Sequence, residues 1–263
     1  MIVFSAFTPH SPLLLEEINS HRIHEVQTTL DALEAISHHL YATHPDTILL
    51  ISELPSVHRD TLSIFLDDPY KFDLSEFGNF DFELSFRPDI HLIDSLQRAL
   101  RTEDQRVTLM TEQFLHYASA VPLKLLGSNL PNVRIVPIGI SQLGGKEHFQ
   151  FGQALKDTLT SSMHRIAVIA SGDLSHTLTS DGPVGFHKDG PLYDKKIKEI
   201  ISHSNPAGLL SMEKEGIQNA QETSYRPLCT LYGIMERISH TPKIHAYEAP
   251  FGVGYLSCEL ELA

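Results

Sequence analysis

Two unbroken apolar runs constrain this chain more than any other feature: Thr47-Ile48-Leu49-Leu50-Ile51-Ser52 and Ile166-Ala167-Val168-Ile169-Ala170. Neither alternates apolar with polar residues, so a strand made from either must be covered on both faces, as strands inside a parallel sheet are. A shorter run over 2–7 closes in the turn residues Thr8-Pro9-His10-Ser11-Pro12, and another spans 133–140. Helical stripes lie between the runs. Residues 24–43 set Val26, Leu30, Leu33, Ile36 and Leu40 on one face, and 146–161 do the same with Phe149, Gly152, Leu155 and Leu159. Further helices are predicted over 89–102, 191–203 and 221–238, with short strands over 107–109 and 255–262. Strands alternating with such helices predict an α/β fold, a single domain over 1–263 whose mainly parallel central sheet carries helices on both faces. Residues 80–86 alternate weakly, as an added hairpin would. The Phe-rich, acidic stretch 65–89 around them reads as an insertion or lid.

The charge balance narrows the function classes. With 20 Lys+Arg against 33 Asp+Glu the formal net charge is −13. No basic cluster is available to neutralise phosphates, so nucleic acid is not an expected partner. No apolar run reaches the roughly 18–20 residues that cross a bilayer, and Met1-Ile2-Val3-Phe4-Ser5-Ala6-Phe7 lacks the basic flank of an export signal. The expectation is a cytoplasmic protein with no membrane partner, and homo-oligomerisation stays open. Cys229 and Cys258 stand alone and far apart, which argues against a disulfide scaffold and a Cys-type zinc site. The chain holds 16 His. His38, His39 and His44, around the end of the helix over 24–43, read as a solvated face. Elsewhere imidazole must be judged by location, because it is the commonest transition-metal ligand.

Ligands of open α/β sheets bind beyond the carboxyl ends of the strands, and three strand ends here carry groups of catalytic type. The first strand runs into His10 and the second into Glu53, with His58 shortly after. The third runs into Ser171-Gly172-Asp173-Leu174-Ser175-His176. Several familiar chemistries fail on detail. In Gly139-Ile140-Ser141-Gln142-Leu143-Gly144-Gly145-Lys146-Glu147 the Lys comes one position late for a phosphate loop, and Glu replaces the Ser/Thr. No Gly-x-Gly-x-x-Gly follows the first strand and no Gly-x-Ser-x-Gly elbow occurs. Asp173, Ser175 and His176 are too close in sequence to line up as nucleophile, base and orienter. A His/carboxylate set without Cys remains. Such ligands suit Fe(II), Mn(II) or Zn(II), and an open two-His-one-carboxylate face suits Fe(II) oxygen chemistry.

Five segments in order along the chain carry a family resemblance. They are Thr8-Pro9-His10-Ser11-Pro12-Leu13-Leu14-Leu15, Ala170-Ser171-Gly172-Asp173-Leu174-Ser175-His176, Asp181-Gly182-Pro183 with Gly185-Phe186, Gly190-Pro191 with Tyr193-Asp194-Lys195-Lys196-Ile197, and Glu248-Ala249-Pro250-Phe251-Gly252-Val253-Gly254-Tyr255. Together they resemble the LigB-like class III extradiol ring-cleavage dioxygenases, and within these the branch that includes the Memo proteins. The resemblance implies a single α/β domain, Fe(II) held by two His and one Glu, a further His as acid/base, and a small aromatic, catecholic substrate. Residue by residue it implies His10 as the first metal ligand and Glu222 as the glutamate ligand. It also implies His176 as the acid/base, with Asp173 in the same catalytic motif.

The second histidine ligand departs from the family pattern. Where relatives commonly carry Ser-Pro-His-Ala-Pro, this chain reads Ser52-Glu53-Leu54-Pro55-Ser56-Val57-His58-Arg59-Asp60, with Leu54 at the ligand position. A leucine cannot coordinate a metal. Glu53 is adjacent, but persisting strand geometry would turn it to the opposite face, which leaves His58 as the substitute in a set of His10, His58 and Glu222. Tyr117 likewise stands where relatives carry a supporting His, with His116 one place early. The expectation is a dioxygenase-like protein that holds Fe(II), less readily Zn(II), weakly or not at all. Two alternatives accompany it: a Memo-like binding or regulatory protein that has lost the metal site, and a Zn(II)-assisted hydrolase using the same pocket.

Overall fold

A computed structural model of the chain describes residues 1–54, 59–103, 105–111 and 115–263, with 73 and 80–83 described by backbone alone. Its strands are β1 (Ile2–Thr8), β2 (Thr47–Ser52), β3 (Leu62–Phe65), β4 (Tyr70–Leu74), β5 (Asn79–Pro88), β6 (Val107–Met110), β7 (Arg134–Gly139), β8 (Ile166–Ser171), β9 (His240–Glu248) and β10 (Tyr255–Leu262). They form one sheet in the order β4-β5-β7-β2-β8-β1-β10-β9, with β3 paired to β7 and β6. The centre, β7-β2-β8-β1, is parallel throughout. β10 and β9 extend it antiparallel beyond β1. Every residue of β2 and β8 is buried, which is why their sequences show no polar face.

The helices are α1 (Glu16–Asn19), α2 (Gln27–Ala42), α3 (Ile90–Thr102), α4 (Tyr117–Gly127), α5 (Gly145–Ser161), α6 (Asp189–Ser202), α7 (Pro206–Leu210), α8 (Lys214–Ala220) and α9 (Tyr225–Ile234). They make two cores, one on each face of the sheet. Ile48 and Leu50 of β2 join Leu33, Ile36 and Leu40 of α2 and Leu123 of α4. Leu49 and Ile51 join Leu96 of α3, Phe151 of α5, Ile197 of α6 and Leu231 of α9. The period-two alternation of β2 thus divides its side chains between the layers. α5 and α9 approach backbone to backbone: a Cβ built on Gly152 would lie 2.1 Å from the Thr230 carbonyl oxygen, and one on Gly233 would lie 2.1 Å from that of Phe149. This close crossing seats α9, and with it the turn that enters the candidate site.

The α/β fold is the one expected, and three local differences have physical reasons. The helix predicted over 221–238 starts only at Tyr225, because Gln221 ends α8 in the left-handed region (φ 52°) and 222–224 form a turn. α4 carries no helical signal in the sequence because Pro122 sits inside it. β9 mixes His240, Pro242, Lys243 and His245 with apolar residues and lies at the half-exposed sheet edge, so it has no buried run. The hairpin expected around 80–86 is present as antiparallel β4–β5 within the stretch 65–89, with Tyr70, Phe72 and Leu74 buried in the α2/α4 core. Among the described residues no helix is long and apolar enough to cross a membrane.

Candidate functional site

β1, β2, β7 and β8 end side by side, and the segments leaving them meet the start of α4 and the turn before α9. They enclose a cleft of about 380 Å³ at the sheet's carboxyl edge, lined among others by His10, Glu53, Leu54, Arg59, Tyr117 and Thr223.

His10 is held by a chain of contacts that starts at a proline. Pro122 has no N–H, so the carbonyl of Ala118, four residues earlier in α4, has no helical donor. Ser171 Oγ, at the end of β8, donates to it at 3.0 Å. A hydroxyl has one proton, so Ser171 Oγ must accept from His10 Nδ1, 3.1 Å away. The network therefore assigns the proton to Nδ1 and a lone pair to Nε2, which lies 3.2 Å from Thr223 Oγ1. The His10 backbone N–H donates to Asp173 Oδ1 at 3.0 Å. Burial, and then the neighbouring His116, lower the His10 pKa to about 3, so the ring is neutral at pH 7. The Tyr117 ring stands edge-on to it, with centroids 6.0 Å apart.

Asp173, just past the end of β8, feels the charge of His176 three residues on. Burial raises the Asp173 pKa to about 6, while His176 and the backbone N–H groups of His10 and Ser11 pull the other way. His176 Nδ1 is buried without a hydrogen-bond partner. Asp173 and His10 affect stability with opposite signs. A His lowered from 6.5 to about 3 takes up its proton later in the folded state, so its contribution is lost as pH falls through that window. An Asp raised from 3.8 to about 6 holds an extra proton when folded, so stability falls as pH rises between those values. Asp173→Asn removes the second contribution. Stability of that variant should therefore fall more steeply from pH 6 to pH 4 than that of the unmodified protein, as denaturant titrations at a series of pH values will show.

Glu222 serves first as a helix cap. Its Oε2 accepts from the N–H of Ser224 (2.6 Å) and Tyr225 (2.5 Å), from Ser224 Oγ (3.1 Å) and from the Tyr193 hydroxyl (3.2 Å). Burial still raises its pKa against these bonds. Glu222→Ala should cost on the order of 1–2 kcal/mol, as the loss of a strong N-terminal cap does. An unchanged thermal midpoint would refute that role. Glu53 is also raised, by burial and then by the charge of Glu222, with Arg226 opposing. It lines the same cleft as Leu54. The expectation that it faces away is corrected, because strand geometry ends at Ser52 and the alternation ends with it. Leu54 is 4% exposed and packs into the α2/α4 core. His58 lies outside the described residues.

The structure thus joins His10 to Asp173 and to the Thr223 turn, and sets Asp173 beside His176. Glu222 directs Oε2 into the start of α9. Sequence reasoning missed Ser171, Thr223 and Tyr193, which position these groups. Ser171 had a signal as the residue that ends the strongest buried strand, Tyr193 had one as part of a family-like segment, and Thr223 had none. Set against a two-His-one-carboxylate metal site, His10 fits, since a ligating ring usually anchors one nitrogen and presents the other. Leu54 offers no donor, and Glu222 has Oε2 committed to the cap, which leaves it Oε1 alone as a ligand atom. Among the described residues no three ligand atoms of His, Cys, Asp or Glu converge in the cleft. The described cleft therefore does not fit that set.

Residues 5–256 match the family described as the catalytic LigB subunit of aromatic ring-opening dioxygenase. Protein CA_C1420 of Clostridium acetobutylicum is 26% identical over 262 residues, covering 96% of this chain and 56% of that protein. The chain spans about half the length of this curated relative. Protein JW3007 of Escherichia coli K12 has a crystal structure similar to this one with a TM-score of 0.68 at 16% identity. The match covers 98% of this chain and 99% of that one, and it is a likeness of fold.

Proposed function

The chain belongs to the LigB family of aromatic ring-opening dioxygenase catalytic subunits, and from that membership we propose that it binds a small aromatic ligand in the carboxyl-edge cleft as a binding or regulatory protein. The observation that carries this reading is Leu54, buried in the apolar core at the family's ligand position. Ring opening by dioxygen needs a redox-active centre, and the described donor set does not supply the second imidazole for one. The cleft keeps what binding requires. Its volume of about 380 Å³ falls in the range of small-molecule sites, about 300–1,000 Å³. Tyr117 and Leu54 present apolar surface, the neutral His10 Nε2 can accept a hydrogen bond from a phenolic hydroxyl, and Arg59 adds a cation for an acidic substituent.

Ring cleavage with His58 completing an Fe(II) site is the second reading. Two observations favour it: the anchored tautomer of His10, and the unpartnered Nδ1 of His176 beside Asp173. The test is to purify the protein anaerobically with Fe(II) present, measure iron, titrate with chromophoric 4-nitrocatechol, and record oxygen uptake with catechol. The expected result is saturable nitrocatechol binding that weakens in His10→Ala, with no oxygen uptake above the blank. Stoichiometric iron and oxygen consumption lost in His58→Ala would overturn the proposal in favour of the second reading.

A further inference from the structure

His39 of α2, His245 of β9 and Glu259 of β10 meet away from the cleft, on the antiparallel flank of the sheet. Glu259 Oε1 lies 3.0 Å from His39 Nδ1 and 2.7 Å from His245 Nε2. All three ligand atoms fall within 4.8 Å of one another, the one such convergence of His, Cys, Asp or Glu among the described residues. We propose that these three side chains form a site for a divalent transition-metal ion of the zinc class, with a position left open for water. It stands independently of the reading of the cleft.

The fold builds this arrangement rather than leaving it to surface chance. Pairing between β9 and β10 passes from Ala246 opposite Ser257 to Ile244 opposite Cys258, so His245 is the extra residue of a bulge. Bulges re-aim a side chain out of the regular ladder, and here the ring is brought onto Glu259. That carboxylate is only 4% exposed. A buried carboxylate calls for a compensating cation, yet nearby Lys243 gives its ammonium to Glu261 at 2.9 Å. His245 Nε2 is buried, and despite its nearness to Glu259 it has no partner in hydrogen-bond geometry.

Donor type and spacing fit the ion. Two imidazoles and a carboxylate are the ligand types of open zinc sites, and bonds of about 2.0–2.2 Å in a tetrahedron place ligand atoms about 3.3–3.6 Å apart. The observed 3.0 and 2.7 Å need to open by about 0.3–0.9 Å, within reach of rotamer adjustment in the half-exposed His39. The His39 side chain is 48% exposed, so solvent reaches the fourth position. His39, read from the sequence as part of a solvated helix face, is thus half of a bridge from α2 to the sheet edge.

The test uses the full chain after chelator treatment, with Zn(II) followed by calorimetry and Co(II) by its visible ligand-field bands. The expected result is saturable one-to-one binding that falls by at least about tenfold in His39→Ala and His245→Ala, on the scale of site-disrupting changes, and persists in His10→Ala. His39 is half-exposed, so its variant should stay folded, as circular dichroism will confirm, and it decides the matter if His245→Ala is unstable. Absence of saturable binding, or binding that survives His39→Ala and vanishes in His10→Ala, overturns the proposal.

Discussion

Leu54→His should turn the cleft into an Fe(II) site, raising affinity by at least the 10–100-fold that even supporting residues of metal sites control. The side chain lines the same cleft as His10, whose Nε2 is already deprotonated and whose Nδ1 is anchored on Ser171. A new imidazole there adds the missing nitrogen donor to a ready one. The apo variant should be less stable, because a buried leucine leaves the α2/α4 core, with a cost of up to about 2–5 kcal/mol for losing such packing. Iron should restore part of this, since a ligand at 100 times its Kd adds about 2.7 kcal/mol. The measurement is the thermal midpoint with and without Fe(II), taken anaerobically in a His39→Ala background so that the second site does not contribute. A large Fe(II)-dependent rise is expected in the variant and little in the parent. An equal rise in both would show that the unmodified cleft already holds a full ligand set.

Gly152→Ala should destabilise the fold by about 3 kcal/mol or more, at or beyond the upper end of the range for overpacking. The added methyl would meet the Thr230 carbonyl oxygen at 2.1 Å and the Ile234 nitrogen at 2.9 Å. Both are backbone atoms of α9, so relief requires the helix to move as a body. Such movement would also disturb the turn carrying Glu222 and Thr223, and nitrocatechol binding should weaken with stability. Gly216 in α8 provides the opposite case, for a Cβ there meets nothing within 4 Å. Gly216→Ala should stabilise by roughly 0.5–1 kcal/mol, the ordinary gain on replacing glycine inside a helix. Urea unfolding of the two variants separates close approach from simple propensity. Equal effects would refute the tight α5–α9 crossing.

The apolar runs of β2 and β8, the stripe of α2 and the strand-end placement of His10 and Asp173 were legible in the sequence, because burial on both faces and helical periodicity leave a pattern in consecutive residues. The family motifs read in the same way, since Gly-Asp-Leu-Ser-His is a local string. The tertiary structure alone decided which groups touch. Nothing in the sequence links Pro122 to the tautomer of His10, because the carbonyl freed by the proline is answered by Ser171, 53 residues from Ala118. Glu222 could be aligned as a ligand by position, but its engagement as a cap depends on where α9 begins, which Gln221 sets by ending α8 in a left-handed turn. His39 and Glu259 are separated by 220 residues and meet because α2 packs against β10, and His245 joins them through the bulge in β9. Local strings encode burial and chain direction. The proton positions, charge pairs and metal-ligand distances that make a site depend on contacts between distant segments, and these exist only once the chain has folded.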